Sequence, residues 1–154
     1  MWESKFEFGE VISMIYEKSF GFVVYKEVQG ENYYLIIRNI SGEYGFPKGH
    51  VENNETEHET AIRELKEETN IEVEIIDGFR YQIEYKFPNK TNVMKRSVYF
   101  LGKCLEDDIV CREGEVSEAM FVSFERAIEL LPFEDTKKIL KEADAYVHVK
   151  KSMK

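Results

Sequence analysis

The order of elements in this chain predicts an α+β fold in which a central mixed sheet is covered by helices on both faces, an α/β/α sandwich. Three observations carry that expectation. Residues 19–26 (SFGFVVYK) and 97–102 (SVYFLG) are apolar almost without a break, as strands covered on both faces are. A glutamate-rich helical pattern over residues 54–69 lies between the first strands and a run of later ones. Two further helical patterns then close the chain, so helices are available for both faces of the sheet.

Residues 1–15 read as an N-terminal extension or an edge strand, on the alternation of Phe6 and Phe8. Residues 19–26 and 33–38 form a hairpin around the turn cluster Gln29-Gly30-Glu31-Asn32. Pro47 holds Phe46 extended and out of a helix. Asn53 or Asn54 is expected to cap the following helix, with Glu55, Glu57 and Glu59 in or near its first turns, where the backbone dipole favours anions. Ala61, Ile62 and Leu65 form its apolar side, and Asn70 supplies a left-handed stop. Residues 71–76 alternate as a strand, Asp77-Gly78 turns, and residues 81–87 alternate again. Pro88-Asn89-Lys90-Thr91-Asn92 is another turn, ahead of the strands at 97–102 and 120–122. Residues 125–131 read as a helix stopped by Pro132, and a last helix over 135–146 presents Ile139, Leu140 and Ala143 inward.

A length of 154 residues suits one domain spanning 1–154. No apolar run is long enough for a membrane span, and Met1 to Phe8 has neither the basic nor the apolar region of a secretory leader. A cytoplasmic protein with no membrane partner is the expectation. Cys104 and Cys111 are too few for a disulfide framework and read as reduced thiols. A net charge of −9 disfavours DNA or any general polyanion as partner. Monomer and homodimer both stay open.

The acidity is concentrated. Glu52, Glu55, Glu57, Glu59, Glu64, Glu67 and Glu68 crowd into one segment, and Glu64, Glu67 and Glu68 stand at i, i+3, i+4. On a helix that spacing puts three carboxylates on one face, where they repel one another. Hard oxygen donors so placed suit a divalent cation, Mg²⁺ or Mn²⁺.

The full spacing is Gly49, five residues, Glu55, seven residues, then Arg63-Glu64-Leu65-Lys66-Glu67-Glu68-Thr69-Asn70-Ile71. This closely resembles the Nudix box over residues 49–71, with Asn70 standing where the family has Gly. The resemblance implies a Nudix α/β/α sandwich whose loop–helix–loop holds Mg²⁺ (or Mn²⁺) and hydrolyses a nucleoside diphosphate linked to another group. It also assigns roles. Glu64, Glu67, Glu68 and the backbone carbonyl of Lys48 are the implied metal ligands, while Glu55 and Arg63 brace the loop against the helix. A further loop carboxylate is implied at Glu115, with Glu113 and Glu118 as competitors, and the general base at Glu64 or, second, Glu115.

Residues 44–52 (YGFPKGHVE) are similar to the run that enters the box in asymmetrical diadenosine tetraphosphate hydrolases, with Tyr44 in place of a tryptophan. Gly78-Phe79-Arg80, Tyr85 and Leu131-Pro132-Phe133 look like later landmarks of that branch. The substrate contacts this implies are Tyr44, Lys48, His50, Tyr85 and Phe133, and the implied reaction is cleavage of diadenosine tetraphosphate to ATP and AMP. Alternatives on the same core are a nucleoside triphosphate pyrophosphohydrolase or an RNA 5′-pyrophosphohydrolase. A non-catalytic nucleotide sensor is the reading from outside the enzymes.

Overall fold

The computed structural model describes residues 2–5, 11–86 and 92–153, with side chains from residue 15 onward. A short strand β1 (Trp2–Lys5) pairs antiparallel with the start of the long strand β2 (Val11–Val28). The Phe6 and Phe8 alternation lies outside the described residues. β2 turns at Gln29 and Gly30, both at positive φ (53° and 83°), into β3 (Glu31–Asn39). A two-residue hairpin with both central residues left-handed matches the strands' own twist.

Two short strands follow, β4 (Tyr44–Gly45) on β3 and β5 (Lys48–His50) on β2. The helix α1 (Glu57–Thr69) then leads to β6 (Glu72–Lys86), β7 (Val93–Glu106) and β8 (Val116–Ser123). Helices α2 (Phe124–Leu130) and α3 (Glu134–Ser152) end the described chain. The sheet runs β4-β3-β2-β7-β6, with β8 on β3, and only the β2–β7 pairing among those described is parallel.

Alternation along β2 explains why its sequence is apolar throughout. Phe20, Phe22 and Val24 face α1, packing with Ala61, Leu65, Val98 and Phe100. Val23 and Tyr25 face the other way, into a cluster with Tyr99, Leu101, Ala127, Leu131, Ile139, Leu140 and Ala143 from β7, α2 and α3. A strand with successive side chains on opposite faces is buried on both only when both faces are covered. The α/β/α expectation therefore holds.

Several local readings are corrected. The cap of α1 is Thr56, whose side chain accepts from the Glu59 amide at 3.1 Å, while the Glu59 carboxylate accepts from the Thr56 amide at 2.8 Å. Asn53 and Asn54 instead make the preceding turn at φ 50° and 61°, and Glu55 lies ahead of the cap. Ile62 is 45% exposed and does not share the inner face with Ala61 and Leu65; Thr60 does. Asn70 ends the helix at φ 65°, as expected.

Residues 72–86 do not make two strands with a turn between them. β6 is continuous, and its register jumps from Ile76↔Leu101 to Arg80↔Phe100, so Asp77, Gly78 and Phe79 bulge out. The bulge sits under α3, where Tyr146 donates its hydroxyl hydrogen to the Asp77 carbonyl at 2.7 Å and packs against Phe79 at 5.7 Å between ring centroids. Gly78 has φ +92°, and an added Cβ would lie 2.2 Å from the Tyr146 hydroxyl oxygen. Gly78→Ala is expected to cost about 1–3 kcal/mol, read as a lower thermal midpoint without loss of fold. The turn expected at 88–92 lies mostly outside the described residues. Among the described residues no helix is long and apolar enough to cross a membrane.

Candidate active site

The site is built where β5 meets α1. β5 is held on β2 by the pairs Gly21↔Lys48, Phe20↔Gly49 and Ser19↔His50. Gly49 faces the helix so closely that an added Cβ would fall 2.0 Å from the carboxyl carbon of Glu64. Only glycine fits there.

Arg63 ties the loop to the helix. Its Nε donates to Glu55 Oε2 at 2.7 Å and its Nη2 to Glu55 Oε1 at 3.0 Å, a two-pronged pairing. Nη2 also donates to the His50 carbonyl at 2.8 Å, and Nη1 reaches Glu64 at 2.9 Å and Glu67 at 3.1 Å. Glu55 in turn accepts from the Glu52 amide at 2.9 Å and from Thr60 Oγ1 at 3.2 Å. These bonds join Glu55 of the loop to Arg63 of the helix.

These hydrogen bonds, led by those from Arg63, hold the Glu55 carboxyl down from 4.5 to about 2. A depressed carboxylate stabilises the fold above its unfolded pKa and stops doing so as pH falls through its folded one. Stability should therefore fall between about pH 4.5 and 2 in the parent, and Glu55→Gln should flatten that limb of a stability–pH curve.

The three helix carboxylates differ in environment. Glu64 and Glu68 are buried, while Glu67 is half-exposed. Burial, reinforced by the charge of Glu64, pushes the Glu68 carboxyl up to about 8, and burial also raises Glu64. Glu68 Oε1 accepts from the Lys48 amide at 3.0 Å.

The loop from Asp107 to Glu115 closes the other side. It is anchored to the end of α1 by Val110 N–H to Thr69 O at 3.0 Å and Arg112 N–H to Glu68 O at 3.0 Å, and by the Asn70 side-chain amide on the Asp108 carbonyl at 2.9 Å. Arg112 bridges Glu67 at 3.2 Å and Glu115 at 3.6 Å. Of the three loop carboxylates considered, Glu115 is the one whose charge raises Glu68. Glu118 pairs with Arg38 at 3.3 Å on β3 instead, and Glu113 is exposed in the turn before β8.

Among the described residues no three His, Cys, Asp or Glu side chains converge on a ready-made metal cage; guanidinium groups of Arg63 and Arg112 bridge the carboxylates. The donor set still fits a hard divalent cation. Burial raises Glu68 and Glu64, with the charge of Glu64 adding to the first and that of Glu67 to the second, so the cluster is under-neutralised, and oxygen ligands are what Mg²⁺ and Mn²⁺ take.

Beside this cluster lies a cleft of about 490 Å³. Tyr44, Lys48, Tyr85 and Phe133 all line it, from β4, β5, β6 and the start of α3. His50 does not line it. Its Nδ1 lies 3.0 Å from the Lys18 carbonyl, on the β2 side. Two cations escaped the sequence reading. Lys95 lines the cleft and pairs in register with Tyr85, and Arg112 sits within the carboxylates. Nothing in the sequence pattern marked either: Lys95 lies ahead of the strand expected at 97–102, and Arg112 lies in a loop. Burial, with the charge of Lys95, lowers the Lys48 ammonium to about 8.

A NUDIX domain model matches residues 16–143. The asymmetrical bis(5′-nucleosyl)-tetraphosphatase of Rattus norvegicus is 32% identical over 105 residues, covering 66% of this chain and 69% of the relative. The enzyme of the same name from Caenorhabditis elegans is 28% identical over 132 residues, 84% of this chain and 96% of the relative. A crystal structure of a C. elegans Ap4A hydrolase binary complex superposes with a TM-score of 0.77 at 27% identity, covering 86% of this chain and 98% of that one. With the box residues gathered around one loop–helix–loop and the model matched along most of its length, the chain belongs to the Nudix domain family.

Proposed function

We propose that this Nudix hydrolase cleaves a dinucleoside polyphosphate, diadenosine tetraphosphate in the first instance, to ATP and AMP with the help of Mg²⁺ or Mn²⁺. The observation that carries the reading is the double engagement of Lys48. Its backbone amide donates to Glu68 of the carboxylate cluster, and its side chain lines the cleft shared by Lys95, Tyr85 and Phe133. A phosphate chain lying along the cleft would meet two lysines and end at the carboxylates. An adenine at the far end would meet the Phe133 ring, which is 54% exposed and free to stack. The names borne by the rat and nematode relatives support the same substrate class.

In this proposal Glu64, Glu67, Glu68, Glu115 and the Lys48 carbonyl hold the cation. When bound, a divalent cation neutralises phosphate charge and makes a water a better nucleophile. The chain's own residues do the rest. Gly49 lets β5 approach α1, while Arg63 and Glu55 fix the angle of the helix against the loop. Lys48 and Lys95 orient the phosphates so that the attacked P–O–P bond lies in line with the water. Water oxygen bonds to phosphorus, the bridging oxygen leaves with its electron pair on one nucleotide product, and Glu64 takes the water proton. Burial suits Glu64 to that work by raising its proton affinity.

The test is a substrate panel with product identification. Release of ATP and AMP from diadenosine tetraphosphate is compared with pyrophosphate release from nucleoside triphosphates and from 5′-triphosphorylated RNA. The dinucleotide is expected to show the highest kcat/KM. Ranking it last would replace the substrate assignment, and no turnover of any substrate with wild-type Mn²⁺ binding would favour a sensor.

A further inference from the structure

We propose that Arg112 is a built-in counter-cation of the carboxylate cluster, holding Glu67 and Glu115 together until a divalent cation displaces its guanidinium. The inference rests on the metal site of the proposed function and assigns a competitor to it.

Its placement is set by backbone rather than by side-chain chance. The Arg112 amide is fixed to the Glu68 carbonyl at 3.0 Å, and the neighbouring Val110 amide to Thr69 O at 3.0 Å, so the residue enters at the C-terminal end of α1. Its carbonyl accepts from both the Glu115 and Val116 amides, at 3.2 and 3.0 Å, closing a tight turn that brings Glu115 back beside it. From that base Nη1 lies 3.2 Å from Glu67 Oε2 and 3.6 Å from Glu115 Oε2. It thereby joins a helix carboxylate to a loop carboxylate forty-eight positions on along the chain, the two that the metal must also engage together.

Electrostatics agree with the geometry. The charge of Arg112 opposes the upward pull of burial on both Glu64 and Glu68. A guanidinium within the cluster supplies positive charge that a divalent ion would supply more strongly, so both cannot sit on Glu67 and Glu115 at full strength. Arg63 differs from it. Two of its hydrogen bonds go to Glu55 and one to the His50 carbonyl, groups outside the cluster that keep it in place when metal arrives. Among the described residues Arg112 ion-pairs with Glu67 and Glu115 alone, and its side chain is 42% exposed, leaving it room to swing out to water.

A consequence follows for the loop. With Arg112 bridging, Glu115 is already at the helix before metal binds, so the loop is pre-positioned at the cost of metal affinity. Arg112 is a positioning residue in this scheme, without contact to the reacting atoms.

The experiment measures Mn²⁺ binding to the full chain by electron paramagnetic resonance of the free ion, in the parent, Arg112→Gln, Arg112→Lys and Glu67→Gln. Metal-free thermal midpoints are recorded alongside. Arg112→Gln should bind Mn²⁺ about three- to tenfold more tightly, the scale of one or two half-exposed ion pairs. Its metal-free midpoint should be lower than the parent's, with saturating Mn²⁺ closing the gap. Arg112→Lys, keeping the charge, should fall between the parent and Gln in affinity. A role confined to holding Glu115 in place predicts the opposite sign, weaker Mn²⁺ binding in Arg112→Gln, and that result or an unchanged affinity would overturn the proposal. If the parent itself binds no Mn²⁺, or Glu67→Gln binds it as well as the parent does, the metal site fails and this inference with it. The two failures are therefore told apart by the parent and Glu67→Gln arms.

Discussion

Glu68→Gln is expected to make the metal-free protein more stable at pH 8 while removing divalent-cation-dependent turnover. The carboxyl of Glu68 is buried, and burial first, then the charge of Glu64, raise it from 4.5 to about 8. In the unfolded chain the group releases its proton near 4.5, whereas in the folded one it keeps it up to about 8. Unfolding in that interval releases a proton, so the metal-free fold loses stability as pH rises from 4.5 to 8, by an amount on the order of 5 kcal/mol. Glutamine has no such proton, and its amide oxygen can still accept from the Lys48 amide at the 3.0 Å position. The variant's stability should decline less than the parent's across that interval, with the part due to buried Glu64 remaining, which chemical denaturation at a series of pH values measures.

Activity should move the other way. A neutral amide contributes no charge toward a cation, and losing a ligand outright should exceed the roughly 10–100-fold typical of losing an outer partner. Turnover with Mg²⁺ should fall at least about 10²-fold, and Mn²⁺ should bind correspondingly worse. A variant less stable at pH 8 yet fully active would contradict both the burial argument and the ligand assignment.

The fold class was legible because its signals are long. The apolar runs around Phe22 and Phe100 state that both faces of the sheet are covered, and Ile139, Leu140 and Ala143 are buried as their periodicity requires. Short signals were ambiguous wherever one residue type serves two geometries. Asn53 and Asn54 are good caps and good left-handed turn residues; they make the turn, and the capping box of Thr56 and Glu59 starts the helix. Asp77-Gly78 carries the chemistry of a turn and of a bulge alike, and only Tyr146, 69 residues on from Asp77, decides between them.

The site divides in the same way. Helical spacing places Arg63, Glu64, Glu67 and Glu68 together, since all lie on one helix, whereas Glu55, the residue before its cap, joined them only through the family resemblance. Lys95 and Arg112 reach the site through β-pairing and loop closure, which a linear pattern does not encode. His50 shows the limit from the other side. A strand residue in the right loop has two faces to choose from, and its ring takes the one toward the Lys18 carbonyl.

Gly49→Ala should disable the protein more thoroughly than the loss of any one side chain in the cluster. The added Cβ would lie 2.0 Å from the Glu64 carboxyl carbon and 2.3 and 2.4 Å from its oxygens, well inside contact distance. β5 cannot retreat, because Gly49 is paired with Phe20 of β2 and Phe20 belongs to the core. Glu64 cannot simply turn away either, being buried and bonded to Arg63 at 2.9 Å. Relief must come from parting the strand and the helix, which misplaces Lys48, Glu64 and Glu68 at once. Overpacking of this kind costs about 1–3 kcal/mol, and a displacement of about 1 Å at the site is enough for a 10²-fold loss of rate. Gly45→Ala is the control, since nothing lies within 4 Å of its would-be Cβ and stability should not change. Removing the obstacle separates packing from chemistry. In the double variant Gly49→Ala/Glu64→Ala, the thermal midpoint should recover most of what Gly49→Ala lost while turnover stays absent. Recovery of turnover, or a Gly49→Ala single variant as stable and active as the parent, would show that the close approach of β5 to α1 is not what sets the position of the carboxylates.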